Sequence, residues 1–527
     1  MHKGTFKFSL KEHRILIFSI LAGLIAFSSD ITYLIASSDY SFHEGEYLGL
    51  LWNITAFYKG QSLVFPLLMH GAMDYIPGII SLFIYGGDHA IVATRILNTA
   101  ATWACWVLFL DIIYLLTSKT RQKAFLMALA VLIFFLLAPG FNSKPLDVHD
   151  AFLGPRDLFL IASIWAFTNY IFSEEGNNSL YSRLFLISGG ILTAISFFWC
   201  YDRGIMTLAF FFLVLMGIIL NKKTADAFLT FIVFSLSLGI IGMTRVFGPI
   251  TANLENAVYW VQHSAEIWGK VPAYGLGGML SIFCILAFAV LTVVIAIKEK
   301  FYKNKKEAFL VLAIMAVQLI LLKGTSNRPD IPHLRASFWP SILLMFYLTA
   351  GRISSDQPVV SFNFYNSFKN AGGVYRVYFL VLLLLSCFFV FNESLVGYGK
   401  FARNVFKPAN NSEVVAGDII NMSNALSRSK DRVVLGWVND GVLTFLSKKK
   451  FATKYPYAIY VCKNEEKNYL RQVKGDSLSV VVFNMEDDQY MKVDGRSMQS
   501  RLPEVYKYIQ LSYRDCRRID QYFVVGK

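Results

Sequence analysis

The chain has 527 residues, of which 55% are hydrophobic and only 16% are charged. Soluble domains are typically about one quarter charged, so this composition and a mean hydropathy of +0.47 exclude an ordinary soluble protein. The formal net charge is +14, but Lys and Arg are spread over short loops between apolar runs, which argues against a nucleic-acid-binding surface.

Apolar runs of roughly 16–25 residues recur along the chain, and such runs are long enough to cross a hydrocarbon core of about 30 Å. They predict a polytopic α-helical membrane protein with about eleven transmembrane helices, near residues 15–36, 90–117, 124–139, 157–172, 183–200, 204–220, 227–247, 274–297, 308–323, 337–351 and 377–392. Alternate loops carry the basic residues, so we expect those loops and the N-terminus to be cytoplasmic. An odd number of spans then places the C-terminal tail outside the inner (cytoplasmic) membrane.

The first external loop, predicted at residues 37–89, begins with an unusual group of ionisable residues: Asp39, His43, Glu44 and Glu46. Acids at a membrane boundary are costly and are functional candidates by default. Such carboxylates can deprotonate an acceptor hydroxyl or bind a divalent metal ion. Ser41 and Glu44 also match a capping box, so part of the pattern is explained by a helix start.

The rest of this loop carries two apolar stretches that do not predict spans. Residues 47–58 predict an amphipathic helix lying in the membrane interface. Residues 76–85 are too few to cross the membrane and predict a re-entrant or surface helix.

Three further polar clusters follow predicted spans on the same side of the membrane. They are His149, Asp150, Arg156 and Asp157; Tyr201, Asp202 and Arg203; and Lys323, Arg328, Asp330, His333 and Arg335. Because four clusters lie on one side, we predict that they share one substrate-binding site. Arg328 and Arg335 can hold phosphate oxygens with forked hydrogen bonds, and Lys323 adds a point charge. The alternatives are arginines that reach lipid headgroups and an Asp–Arg pair that only braces a tight turn.

The composition changes near residue 400, and the tail alternates apolar strands with helices. Strands are predicted at 431–438, 477–483 and 522–525, and helices at 413–428, 441–447 and 499–509. The sequence therefore predicts a transmembrane domain over 1–398 and a small extracytoplasmic α/β domain over 399–527 that covers the membrane site.

The sequence lacks the common motifs of nucleotide-binding sites and of cysteine metal sites. There is no GxxxxGK[ST] loop and no GxGxxG motif after a strand, so no nucleotide site is indicated. The six cysteines show no metal-ligand spacing. Cys462 and Cys516 both lie in the tail, where an extracytoplasmic location permits a disulfide. No pattern indicates an oligomeric state.

An acid-bearing loop after the first span, surface helices, many spans and an external α/β tail together resemble the GT-C superfamily of polyprenyl-phosphate-dependent glycosyltransferases. Its members include the aminoarabinose transferase of lipid A, protein O-mannosyltransferases and bacterial arabinofuranosyltransferases. Asp39 and the run from His43 to Glu46 stand where that family has its catalytic carboxylate. Residues 433–446 and 453–456 are similar to the external tails of such enzymes.

The resemblance implies an inverting transfer of a sugar from a polyprenyl-phosphate donor to a glycan, lipid or protein acceptor, among membrane lipids. Asp39 or Glu44 would take the acceptor proton, while Arg328, Arg335 and Arg203 would stabilise the departing phosphate. Metal use varies within the family, so a divalent cation such as Mg²⁺ or Mn²⁺ stays an open alternative. A polysaccharide polymerase or ligase, a receptor-like scaffold, and a flippase or transporter using Arg95 and Asn98 are the rival functions.

Overall fold

A computed structural model describes most of the helical part of the chain and much of the tail. The described residues are 10–28, 42–62, 64–68, 71–85, 87–118, 123, 126–131, 153–172, 179–244, 248–267, 305–327, 337–353, 417–428, 432–435, 441–475, 479–484, 498–512, 515–519 and 522–526. The predicted spans near 274–297 and 377–392 and most of 124–139 lie outside these residues.

Long helices make up the first two thirds of the described chain. They are α1 (Leu10–Ser28), α2 (Phe42–Tyr58), α3 (Ile76–Tyr85), α4 (Gly87–Leu116), α5 (Leu158–Phe172), α6 (Ser179–Trp199), α7 (Tyr201–Leu220), α8 (Thr224–Met243), α9 (Ile250–Ile267), α10 (Lys305–Asn327) and α11 (Trp339–Ile353). Four helices in the described part are long and apolar enough to cross a membrane: Val92–Leu116, Leu180–Trp199, Tyr201–Leu220 and Thr224–Met243. The protein is therefore a multi-pass membrane protein, and the count of eleven spans stays a prediction.

The apolar residues of these helices divide between a packed interior and an exposed surface. Trp106, Phe167 and Phe210 are fully buried in a core shared by α1, α4 to α8, α10 and α11. Phe228 and Ile240 on α8 are instead 65% and 62% exposed. Large apolar side chains on the outside of a helix are stable against lipid, so α8 presents a lipid-facing surface.

A second apolar core joins the first loop to the tail, although the two segments lie far apart in the sequence. Leu48 and Leu51 of α2 are fully buried with Tyr457 and Tyr460 of the tail. The backbone N–H of Phe451 donates a 2.8 Å hydrogen bond to the side chain of Asn53, 398 positions earlier. The predicted helix at 47–58 is therefore present and is buried against the tail, and its location in the membrane interface stays a prediction.

The short helix α3 behaves differently from α2. Phe83 and Ile84 are 67% and 65% exposed, and ten residues are too few to cross a bilayer. Its apolar face is exposed, and its role as a surface or re-entrant helix stays a prediction.

The described part of the tail contains five strands in one mixed sheet. The elements are α12 (Gly417–Ser427), β1 (Arg432–Leu435), α13 (Gly441–Ser447), β2 (Lys450–Phe451), α14 (Glu466–Gly475), β3 (Ser479–Asn484), α15 (Met498–Arg501), α16 (Pro503–Ser512), β4 (Asp515–Ile519) and β5 (Tyr522–Gly526). The strand order is β2-β1-β3-β5-β4. β1 pairs in parallel with β2 and β3, with Val433 opposite Val480, and β5 runs antiparallel to β3 and β4.

Two of these strands were not predicted, and both lie at the edges of the sheet. β2 has only two residues, too few to show a period, and β4 has the charged sequence Asp-Cys-Arg-Arg-Ile. Charged residues are common on edge strands because they discourage pairing with another chain. A search for apolar runs therefore misses them.

Cys462 of the tail has a free thiol in the structure.

Candidate functional site

A short segment before α5 carries the first pair of site residues. Pro155–Asp157 forms a single 3-10 turn, and Leu153 before it has a φ of 58°. The Trp199 indole donates a 2.8 Å hydrogen bond to the carbonyl of Pro155, and the Cys105 thiol donates one of 3.4 Å to that of Gly154. These contacts from α6 and α4 fix the direction in which Arg156 and Asp157 leave the turn.

The start of α7 supplies the second set of residues. Cys200 alone separates α6 from α7, so the chain reverses sharply. A Cβ on Gly204 would collide with the backbone of Phe197, so only glycine permits the two helices to approach this closely. The reversal brings Asp202 and Arg203, in the first turn of α7, beside the segment that carries Arg156 and Asp157.

Four charged side chains join there into one network. Arg203 Nε lies 2.5 Å from Asp157 Oδ1, and both side chains are buried. Arg156 Nη2 and Arg203 Nη1 each donate a 2.9 Å hydrogen bond to Asp202 Oδ2. The other oxygen of Asp202 accepts hydrogen bonds from the Cys200 thiol at 2.7 Å and the Arg203 backbone N–H at 2.9 Å.

Asp202 is the accessible member of this network. Its side chain is 44% exposed, against 14% for Arg156, 7% for Arg203 and 3% for Asp157. The N-terminus of a helix carries positive partial charge, which adds to that of the two arginines. The two arginines are balanced by Asp157 and Asp202, and the network opens to its surroundings at Asp202.

Asp74 is a further acid of this site, and the sequence analysis missed it. It is 2% exposed in the 3-10 turn Ala72–Tyr75, which lies against the end of α6 because Gly71 packs directly on the carbonyl of Phe198. Burial raises the pKa of Asp74 to about 7; the charge of Arg156 opposes the shift, and Asp202 and Glu46 reinforce it. An acid with a pKa near 7 can accept and release protons under ordinary conditions.

Glu46 connects this region to the tail. It is 2% exposed, and its carboxylate accepts a hydrogen bond from the Tyr460 hydroxyl. Tyr457 donates a 3.2 Å hydrogen bond to the backbone carbonyl of Glu46. Burial raises the pKa of Tyr460, with the charge of Glu46 as a second cause, so the phenol keeps its proton and acts as a donor.

Solved structures with a similar overall fold include oligosaccharyltransferases of Archaeoglobus fulgidus. One, tethered to an acceptor peptide with the NVT sequon, has a TM-score of 0.54 and 12% identity, covering 98% of this chain and 74% of that one. Another, AglB with an inhibitory peptide and a dolichol-phosphate, has a TM-score of 0.52 and 13% identity, covering 95% and 73%. The chain has the GT-C fold. The resemblance predicted from the sequence is therefore confirmed at the level of fold.

A third structure, apo ArnT from Cupriavidus metallidurans, has a TM-score of 0.46 and 10% identity, with 98% of each chain covered. No protein-family profile matches the chain, and no curated protein matches it in sequence. At identities of 12% and 13%, the GT-C fold is what the two Archaeoglobus fulgidus structures establish.

The described residues include part of the predicted site. The structure brings together Arg156, Asp157, Asp202 and Arg203, which come from two separate clusters. Tyr201 points to α9 instead, where its hydroxyl donates a 2.7 Å hydrogen bond to Asn253. Lys323 is exposed on α10.

Other predicted residues lie outside the part that is described. They are Asp39, His149, Asp150, Arg328, Asp330, His333 and Arg335, together with the side chains of His43 and Glu44, whose backbone forms the first turn of α2. Their roles stay predictions.

A divalent cation needs several oxygen ligands close together, and the described acids do not provide them. No three carboxylates among Glu46, Asp74, Asp157 and Asp202 come within 4.8 Å of one another in the described chain. Asp157 and Asp202 are, moreover, already paired with arginines. These residues do not by themselves fit Mg²⁺ or Mn²⁺, which bind to several oxygen ligands at once.

Proposed function

We propose that this GT-C-fold protein is an inverting membrane glycosyltransferase that moves a sugar from a polyprenyl-phosphate donor to an extracytoplasmic acceptor. The observation that carries the proposal is the pair of arginines, Arg156 and Arg203, that converge on the half-exposed Asp202. The shared fold adds support, because the AglB structure of this fold contains a dolichol-phosphate.

Arg156 and Arg203 are suited to hold the donor phosphate. A guanidinium presents several N–H donors in a rigid fork that matches phosphate oxygens. Asp157 fixes Arg203, and Asp202 holds both guanidinium groups side by side, so they are oriented before the donor arrives. Fixed positive groups aimed at a leaving phosphate stabilise the charge that develops on it in the transition state. Arg328, Arg335 and Lys323 belong to the same proposal as further phosphate ligands.

The acceptor hydroxyl needs a base, and the proposal keeps Asp39 and Glu44 for that role. The base takes the hydroxyl proton, the acceptor oxygen attacks the anomeric carbon, and the bond from that carbon to the phosphate oxygen breaks with its electron pair leaving on the phosphate. One such in-line displacement inverts the anomeric carbon. Asp74, with a pKa of about 7 beside Glu46 and Asp202, is a second carboxyl suited to receive the proton.

We further propose that the tail is an extracytoplasmic unit that lies above the membrane helices. Tyr457 and Tyr460 fasten it to Glu46 of the first loop, next to the acids named above. We infer that it shields the reacting groups from water and helps to select the acceptor, which would be a cell-envelope polysaccharide, lipopolysaccharide or glycoprotein. The proposal includes a cytoplasmic N-terminus and a location in the inner membrane.

Sugar transfer by the purified protein tests the proposal. The protein would be incubated with a small panel of polyprenyl-phosphate sugars and cell-envelope acceptors, and products would be separated from the lipid donor. We expect transfer from at least one donor, lost in Asp202→Asn and kept in Arg183→Gln, a surface variant on α6 whose side chain is 62% exposed. Equal transfer by both variants would remove the arginine–carboxylate network from the mechanism.

A transporter or flippase is the second candidate, and one observation favours it. Thr94, Arg95, Asn98, Thr99 and Thr102 are all buried on the membrane-spanning part of α4. Buried polar residues at this depth often mark a substrate pathway. Movement of a lipid-linked sugar between the leaflets of a vesicle, without transfer to any acceptor, would support this candidate against the enzyme.

A further inference from the structure

Three side chains with metal-binding atoms meet where α9 contacts the tail. His263 and Glu266 lie one turn apart on α9, and Cys462 precedes the 3-10 turn Lys463–Glu465. One ligand atom from each residue lies within 4.8 Å of the other two. Cys462 is a free cysteine, and its residue is only 2% exposed.

We propose that His263, Glu266 and Cys462 bind a zinc ion. A thiolate, an imidazole and a carboxylate together suit Zn²⁺ better than Mg²⁺ or Ca²⁺, which prefer oxygen ligands only. Around tetrahedral zinc, with bonds of about 2.0–2.3 Å, ligand atoms lie roughly 3–4 Å apart. His263 Nδ1 and Glu266 Oε2 are 3.7 Å apart, which fits that geometry.

Neighbouring groups hold two of the three ligands in place. The backbone N–H of Lys463 donates a 2.7 Å hydrogen bond to Glu266 Oε1, which leaves Oε2 directed to His263. The Tyr259 hydroxyl donates a 2.6 Å hydrogen bond to the carbonyl of Tyr460 and accepts one of 3.2 Å from the backbone N–H of Cys462. Such outer hydrogen bonds orient metal ligands and are a regular part of metal sites.

A water molecule would complete the coordination of the zinc ion, and Glu465 is a charged neighbour of His263. A hydrogen bond from Asn468, followed by those of Tyr455 and the nearby charges of Lys454 and His263, holds the pKa of Glu465 below its ordinary value. The carboxylate is therefore ionised near neutral pH and adds negative charge beside His263. Binding of zinc would displace the proton of the Cys462 thiol, which leaves as the thiolate–metal bond forms.

The zinc ion would clamp the tail to α9. Glu266 and Lys463 are 197 positions apart, and a crosslink that closes a long loop removes more entropy from the unfolded chain than one that closes a short loop. The site uses none of Arg156, Asp157, Asp202 or Arg203, so it is independent of the proposed sugar transfer. Its ligands come from distant parts of the chain, which explains why no metal-ligand spacing is visible in the sequence.

Binding of cobalt and zinc salts to the chelator-treated full-length protein tests the proposal. We expect Co²⁺ to bind at about one equivalent with a thiolate-to-metal charge-transfer band, and Zn²⁺ to displace it. Cys462→Ser should lose the band, while Cys105→Ser, which removes a buried cysteine from α4, should keep it. Absence of the band in the unaltered protein, or its survival in Cys462→Ser, would overturn the site.

A second variant keeps the proposal testable if Cys462→Ser does not fold. His263 is partly exposed at 22%, so His263→Gln should fold. We expect it to bind Co²⁺ at least roughly tenfold more weakly, the range found when groups around a metal are removed. Zinc should raise the unfolding temperature of the unaltered protein and of Cys105→Ser but not of His263→Gln. An equal rise in all three would show that zinc binds elsewhere and would overturn the proposal.

Discussion

Arg203 Nε lies 2.5 Å from Asp157 Oδ1, and this ion pair joins two segments that are 46 positions apart in the sequence. Both side chains are almost completely buried. A buried charge is stable only with a partner and hydrogen bonds, so the pair determines where the start of α7 lies relative to the turn before α5. Asp202 and Arg156, the other members of the network, depend on that placement.

Replacing Asp157 should therefore destabilise the protein. Asp157→Asn removes one negative partner of a buried arginine, and we expect a loss of roughly 3 kcal/mol, at the lower end for breaking a buried pair because Asp202 remains. Thermal unfolding of the purified protein measures this. Arg183→Gln, which breaks a surface pair with Asp226 at 3.8 Å, should change stability by less than about 1 kcal/mol. Similar unfolding temperatures for the two variants would contradict the structural role of Asp157.

The raised pKa of Asp74 predicts how the stability of the folded protein depends on pH. Its pKa is raised from 3.8 in the unfolded chain to about 7 in the folded protein, mainly by burial. Between these values the folded state binds more protons, so this carboxyl lowers stability progressively as the pH rises from about 4 to 7. Above pH 7 the full destabilisation remains.

Asp74→Asn removes this contribution while keeping the shape of the side chain. We expect the variant to gain stability relative to the unaltered protein at pH 8 and to gain little at pH 4, measured as the difference in unfolding temperature at each pH. Other titrating groups are common to both proteins and cancel in the difference. A difference that does not change with pH would show that Asp74 has an ordinary pKa.

The contact between α2 and α13 predicts that Gly441 cannot be enlarged. A Cβ at this position would collide with the Tyr457 hydroxyl and with the backbone carbonyl of Gly45, and a backbone atom cannot move aside cheaply. We expect Gly441→Ala to cost about 1–3 kcal/mol and to make the tail easier to cleave by protease. Gly475→Ala is the matched control, because a Cβ there meets nothing within 4 Å. Equal protease resistance of the two variants would mean that the helices do not approach this closely.

The hydrogen bond from Tyr460 to Glu46 predicts a second effect at the same junction. Tyr460→Phe removes a donor from a buried carboxylate, and we expect a loss of about 1–3 kcal/mol in the free energy of unfolding. Tyr181→Phe is the control, since Tyr181 is 62% exposed. Denaturant unfolding compares the two, and an unchanged midpoint for Tyr460→Phe would show that the bond does not stabilise the tail.

The acid-bearing first loop, the many spans and the α/β tail resemble the GT-C superfamily, and this resemblance predicted the fold. The two clusters around Arg156 and Asp202 were predicted because charged residues at the ends of apolar spans are conspicuous. The sequence did not predict the burial of α2. The surface that covers this helix belongs to the tail, about 400 positions later, and the local pattern of residues carries no information on such a distant partner. Asp74 was missed for a related reason: a single acid before an apolar helix is ordinary until its neighbours are known.

The central claim is that Arg156 and Arg203 hold the phosphate of a lipid-linked sugar, and binding of a radiolabelled polyprenyl phosphate measures this most directly. A hydrogen bond to a charged group is worth about 1.5–3 kcal/mol, so Arg156→Gln should bind the lipid roughly 10- to 100-fold more weakly than the unaltered protein. Arg183→Gln should bind it as the unaltered protein does. Equal affinity of a folded Arg156→Gln variant would contradict the account.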